Sequence, residues 1–279
     1  MADNILSSIN ILLEKIYKSV ESNVYELLDR LVDISPDILK NEPLKYLFKD
    51  SDKEGIIFIS TSLILFYILQ YMLLKFVAMY NGKNPENVFR YIFKVMLCVI
   101  FTSSSLYICK TVLEINSVFT DIISSLGENI TGEKISFNSL KEVILDLQKY
   151  MGEDCISLDG LIKGFISFGS VTLLINYAVR YVTIVFLIIV MPLAIMFSIS
   201  PYTKGIFNSW VKLFVVNLSM QWIVKFILII PISIKEVGTD MFKIIIVGTI
   251  YVLYKINGFV KEFLGNIYDN TSYINKGGY

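Results

Sequence analysis

The chain has 279 residues, of which 54% are apolar and only 18% charged, and its mean hydropathy is +0.62. A water-soluble domain of this length does not need so much apolar surface and usually carries about 25% charged residues. The 25 basic and 25 acidic side chains cancel, so net charge points neither toward nor away from nucleic acid, and the lack of histidine removes the commonest general base, proton shuttle and metal ligand.

The opening residues, MADNILSSIN, contain no basic stretch followed by an apolar core. No cleavable signal peptide is expected, and the first true span should act as the insertion signal. Residues 5–31 then place Ile5, Ile9, Leu12, Leu13, Ile16, Val20, Val24, Leu27, Leu28 and Leu31 at helical spacing, with charge on the other face. Ser35, Pro36 and Asp37 read as the cap and first turn of a short helix.

A membrane helix needs about 20 mostly apolar residues to cross a hydrocarbon core of about 30 Å. Gly55 to Leu74 is free of charge and is the clearest such run; Tyr91 to Cys109 is the second, with Lys94 near its start. The loop that follows puts Val112, Ile115, Phe119, Ile122 and Leu126 on one helical face, with Gly127 as the expected terminator. Ser139 to Glu142 has capping-box spacing, followed by Leu140, Val143, Ile144 and Leu147 along one side of another helix. These amphipathic helices are too short and too polar to span. Their acidic rather than basic polar faces favour packing on protein over binding anionic lipid.

Leu161 to Ile199 is a long apolar segment interrupted by Lys163 and Arg180, without a turn signal to divide it. It reads as one long helix, embedded over about Tyr181 to Ile199, with Pro192 as a kink position. Val211 to Ile232, carrying Lys225, is the fourth expected span, and Phe242 to Val260 the fifth.

Flanking charge orients these spans. Lys75, Lys83, Arg90 and Lys94 surround the first link against the single acid Glu86, and Lys204 and Lys212 follow the third span without an acid. Residues 1–54 carry seven basic and eleven acidic residues, and residues 111–160 three basic and nine acidic. The expected fold is therefore all-α and polytopic, with five transmembrane helices, the amino terminus outside and the carboxyl terminus in the cytoplasm. Its regions are an outer amphipathic part (1–54), two spans (55–110), an acidic outer loop (111–160), three spans (161–262) and a short cytoplasmic tail (263–279).

The three cysteines suggest no disulfide framework, since Cys98 and Cys109 sit in apolar sequence and only Cys155 lies outside it. No metal cluster, phosphate loop or nucleophile elbow is present, and the spans hold no acid except at their ends. Neither an enzyme nor an ion-driven carrier is expected, and no cofactor or metal is implied. The conspicuous intramembrane charges are Arg180 and Lys225, which either snorkel to the outer interface or face an aqueous path suited to an anionic passenger.

Arg180, the run YVTIVFLIIVM, Pro192, LAIMFSIS, then Pro201, Tyr202, Thr203, Trp210 and Gln221 form a pattern over about residues 160–235. This stretch resembles the TrbL-like family of polytopic inner-membrane subunits of type IV secretion systems. The resemblance implies a homo-oligomeric, pentameric platform in the bacterial cytoplasmic membrane. It further implies secretion ATPases and other mating-channel subunits as partners, and a single-stranded DNA–protein substrate in transit. Arg180, Pro192, Pro201, Trp210 and Gln221 would be family-pattern positions, none of them catalytic. The rival reading is a small-solute permease subunit of an ABC-type transporter, although the links at about 81–90 and 200–210 are short for docking an ATPase.

Overall fold

In the computed structural model the described residues are 15, 23–40, 42, 44, 48, 55–82, 87–152, 157–234 and 238–274, without the side chains of 257, 261 and 263–274. Most of the first amphipathic stretch, from Ile5 to Val20, and Cys155 lie outside them. Every regular element among the described residues is helical. Helix α1 covers residues 23–32 and is followed by a 3-10 turn, Pro36–Lys40, entered through Asp37 N–H on Ser35 Oγ at 3.3 Å. Then come α2 (Ile56–Tyr80), α3 (Val88–Ser103), α4 (Ser105–Thr131), α5 (Phe137–Lys149), α6 (Leu158–Met196), α7 (Lys204–Ser233) and α8 (Asp240–Ile274).

The chain is an all-α polytopic membrane protein. Among the described residues three helices, α2, α6 and α7, are long and apolar enough to cross a bilayer, and α3 with α4 makes a fourth if the pair is one broken span. The fifth expected span, Phe242 to Val260, lies on α8 and is helical throughout. The long apolar segment is indeed a single 39-residue helix, α6, with Pro192 inside it.

Three local expectations are corrected. The second span is not continuous from Tyr91 to Cys109: the chain breaks at Ser104 and bends by 66°. Thr102, Ser103, Ser104 and Ser105 stand in succession there, and hydroxyl side chains that compete for backbone groups weaken a helix at such a run. Gly127 does not end the next helix. Helix α4 continues to Thr131 and stops at Gly132, whose φ of 79° only glycine adopts without strain. Gly127 serves close packing instead, since a Cβ there would collide with Ile135 and lie 2.9 Å from Ile229 Cγ1. Finally, Ser136 rather than Ser139 caps α5, its Oγ accepting the Ser139 N–H at 3.0 Å.

The chain divides into two compact units. One comprises Met1–Ile34, Asn116–Val182 and Val216–Tyr279. Its core joins Leu28 and Val32 of α1, Leu140, Ile144 and Leu147 of α5, Ile166, Leu173 and Tyr177 of α6, Val224 and Leu228 of α7, and Phe242, Ile246 and Ile250 of α8. The apolar faces of α1 and α5 thus pack on protein, as their acidic polar faces suggest. At one end of this unit Lys243 Nζ reaches Asp159 Oδ1 at 2.7 Å and Asp240 Oδ1 at 3.0 Å, while Asp159 Oδ2 accepts the Gly152 N–H at 3.1 Å.

On α4 the packing face differs from the expected one. Leu113, Asn116, Thr120, Ile123 and Gly127 are buried, whereas Ile115, Phe119, Ile122 and Leu126 are exposed. The bond from Asn116 Nδ2 to Gln221 Oε1 at 2.7 Å, with Thr120 Oγ1 donating to Asn116 O at 2.9 Å, gives the buried polar groups in the middle of this face their partners.

The second unit comprises Ser35–Ile115 and Thr183–Val215. Tyr67, Tyr91, Cys98, Met196 and Ile199 form its core, with Tyr91 stacked on Tyr71 at 3.8 Å between ring centroids and its hydroxyl donating to Tyr67 O at 2.7 Å. Trp210 lies between Phe207 and Phe214, stacked on each, and its Nε1–H donates to Leu187 O at 3.1 Å.

Candidate functional site: a buried charged junction

Arg180 and Lys225 are both buried, 2% and 4% exposed, within the first unit. Their partners come from the last residue of α1 and the one after it, from α7 and from the link before α5. Arg180 Nε donates to Asn217 O at 2.9 Å and Nη1 to Val32 O at 3.3 Å. Its Nη2 has no partner among the described residues, and neither has the Tyr177 hydroxyl one helical turn earlier. Lys225 Nζ donates to Asp33 Oδ2 at 2.9 Å and to Ile135 O at 3.3 Å. Asp33 is open on its other side, with its side chain 45% exposed against 5% for Lys225.

Asp29, one turn before Asp33, completes the junction. Its Oδ1 accepts the Phe137 N–H at 2.7 Å and its Oδ2 the Asn138 N–H at 3.1 Å, so it closes the amino-terminal end of α5. Orphan donors and the positive pole of the helix dipole make that end a natural seat for a carboxylate. Burial nevertheless pushes the Asp29 carboxyl above its ordinary 3.8, outweighing the lowering by these two N–H groups and by Lys225.

Both cations were expected to snorkel or to face an aqueous path; within the chain each is turned toward main-chain oxygens, and Lys225 also toward a carboxylate. The remaining family-pattern residues scatter. Gln221 is buried and holds Asn116, and Trp210 ties α7 to the Leu187 carbonyl. Pro192 is buried within α6, and Pro201 is exposed in the link before α7. Asp29 and Asp33 were not singled out from the sequence, although their spacing of four residues on one helical face was visible. Nothing in the sequence says which of 25 acids meets a cation more than 100 positions away.

No group of three or more metal-ligating side chains converges among the described residues. The junction pairs and caps charges.

A multi-helix membrane protein with two buried cations, one of them paired with an acid from the amino-terminal part of the chain, is the class defined by this fold. The family model described as TrbL/VirB6 plasmid conjugal transfer like protein matches residues 40–264, most of the chain. The chain belongs to that family. No curated protein and no solved structure matches it significantly. The match is far wider than the stretch at 160–235 that first suggested it. It takes in Arg180 and Lys225 but begins after Asp29, Val32 and Asp33.

Proposed function

We propose that this chain is a membrane platform subunit of a type IV secretion machine that passes a DNA–protein substrate during conjugation. The observation that carries this is the family match over residues 40–264, which spans every helix from α2 to α7 and much of α8. The subunit crosses the cytoplasmic membrane of a bacterium five times, amino terminus outside. The acidic stretches at 1–54 and 111–160 and the acid-free link carrying Lys204 and Lys212 support that orientation. It assembles as a homo-oligomer, a pentamer, with secretion ATPases and other mating-channel subunits, and the ATPases supply the energy. It is not itself an enzyme.

Deletion of the gene from an otherwise competent donor, followed by a mating assay, tests the reading. DNA transfer should be lost and should return with the gene supplied in trans. Unchanged transfer would overturn it.

A further inference from the structure

One end of the second unit brings together two links of the chain, the hairpin between α2 and α3 and the turn between α6 and α7. Met196 and Ile199 share a core with Tyr67, Tyr91 and Cys98, and Phe197 packs on it together with Tyr71 and Val95. Ser198 Oγ lies 3.3 Å from Cys98 Sγ, and Tyr71 stacks on Tyr91 across the hairpin. The turn therefore lies beside the first three turns of α3.

This end carries cations without acids to meet them. Lys75 stands one turn beyond Tyr71 on α2, Arg90 and Lys94 flank Tyr91 on α3, and Lys204 opens α7. Arg90 and Lys204 are exposed, and Lys75 and Lys94 half-buried. No Asp or Glu occurs among the described residues from Ile56 to Ser103 or from Phe197 to Phe214; Glu86, outside them, is the one acid in the hairpin sequence. Cations in the first unit do meet acids, Lys225 on Asp33, Lys243 on Asp159 and Arg30 on Glu26. An uncompensated set of positive groups favours an anion from outside the chain.

Apolar surface borders the cations. Tyr80, Phe89 and Tyr202 are the three most exposed large apolar side chains described in this unit, and they continue the exposed apolar faces of α2 and α3. We propose that this end is a binding site for anionic phospholipid, its phosphate held by Arg90, Lys204 and Lys75 and its chains laid on the apolar border. Basic groups at the ends of membrane helices hold such headgroups, and a lysine stem can lie along apolar surface while its ammonium reaches them. Free phosphate or single-stranded nucleic acid would satisfy the cations but leave the apolar border wet, whereas a phospholipid covers both. Such binding needs only a chain that spans a bilayer, whichever side this end faces, and stands apart from the role in conjugation.

Mass spectrometry of the intact full-length chain in mild detergent tests it, with phosphatidylglycerol and phosphatidylcholine offered in equal amounts. Phosphatidylglycerol should be retained in excess, and Arg90→Gln and Lys204→Gln should each lower that preference about five-fold. Arg90→Lys, which keeps the charge, should preserve it, as should Lys141→Gln on α5. Both glutamine substitutions replace exposed side chains, and an unchanged unfolding midpoint separates lost binding from lost fold. Equal retention of the two lipids, or a preference that survives the double substitution, would overturn the proposal. So would displacement of phosphatidylglycerol by an equal concentration of inorganic phosphate, or a single-stranded oligonucleotide held by the same cations in a chain that shows no lipid preference.

Discussion

Lys225 Nζ lies 2.9 Å from Asp33 Oδ2, although 192 residues separate the two along the chain. The lysine is buried and the aspartate half open to solvent, so the pair is asymmetric. Removing the acid strands a buried charge; removing the lysine leaves an acid that water can still reach.

Asp33→Asn should therefore destabilise the fold by about 1–3 kcal/mol, below the range for a fully buried pair because Asp33 is partly screened. Lys225→Met should cost less, and adding it to Asp33→Asn should restore part of the loss. Thermal unfolding in detergent, followed by thiol-dye labelling of the buried Cys98 and Cys109, measures all three. Equal losses for both single variants would contradict the asymmetry.

Asp29→Ala should cost about 1–2 kcal/mol, the ordinary value of a side-chain cap. Asp29→Asn should recover a portion, since its amide oxygen can still accept one N–H. Amide exchange at Phe137 and Asn138 should rise in the alanine variant before the rest of α5 is affected.

The same carboxyl sets a pH response. Its pKa in the folded protein stands above 3.8, so in the window from that raised value down to 3.8 the folded state binds more protons than the unfolded one. This contribution to stability is fully present below 3.8 and is lost as pH rises through the folded value. Melting curves across mildly acidic pH should show a positive change in the slope of stability against pH in Asp29→Asn relative to wild type. A negative change would contradict the assignment.

Glycines separate packing from backbone effects. Gly127→Ala must displace Ile135 and Ile229, and Gly169→Ala would bring its Cβ within 2.5 Å of Ile250 Cγ2. Each should cost about 1–3 kcal/mol through overpacking. Gly248 faces open space in α8, so Gly248→Ala should stabilise by about 0.5–1 kcal/mol through helix propensity. The unfolding assay distinguishes the three.

Gln221→Leu should cost about 1–3 kcal/mol, because it leaves the buried Asn116 amide without its acceptor. The double change with Asn116→Leu should be milder than the single one. If the single substitution proves neutral, that hydrogen bond does not hold α4 in place.

Much of the architecture was legible. Charge-free runs of about 20 residues have few alternatives to a membrane helix, and α6 lacked any residue pair that would turn it back. The core side of α5 was legible too, as Leu140, Ile144 and Leu147 are all fully buried. Helix α4 escaped because periodicity reports apolar residues, whereas its buried face carries a hydrogen bond between two amides. The break at Ser104 escaped because serines are ordinary in membrane helices and only their succession weakens the ladder. In the charged junction Arg180 and Lys225 stood out against apolar neighbours. Their partners did not, since Val32 acts through its carbonyl and Asp33 is one acid in an acidic segment.

The attachment of α1 also has a consequence for the order of synthesis. Tyr25, Val32 and Asp33 are made first, but their partners Ser170, Arg180 and Lys225 follow 145, 148 and 192 residues later. For most of translation the amino-terminal helix has been made but has nowhere to dock, with Tyr25, Leu28 and Val32 still lacking the core that buries them. The newborn chain thus passes through a stage at which that helix is open to chaperones and proteases, and it closes only when α7 arrives.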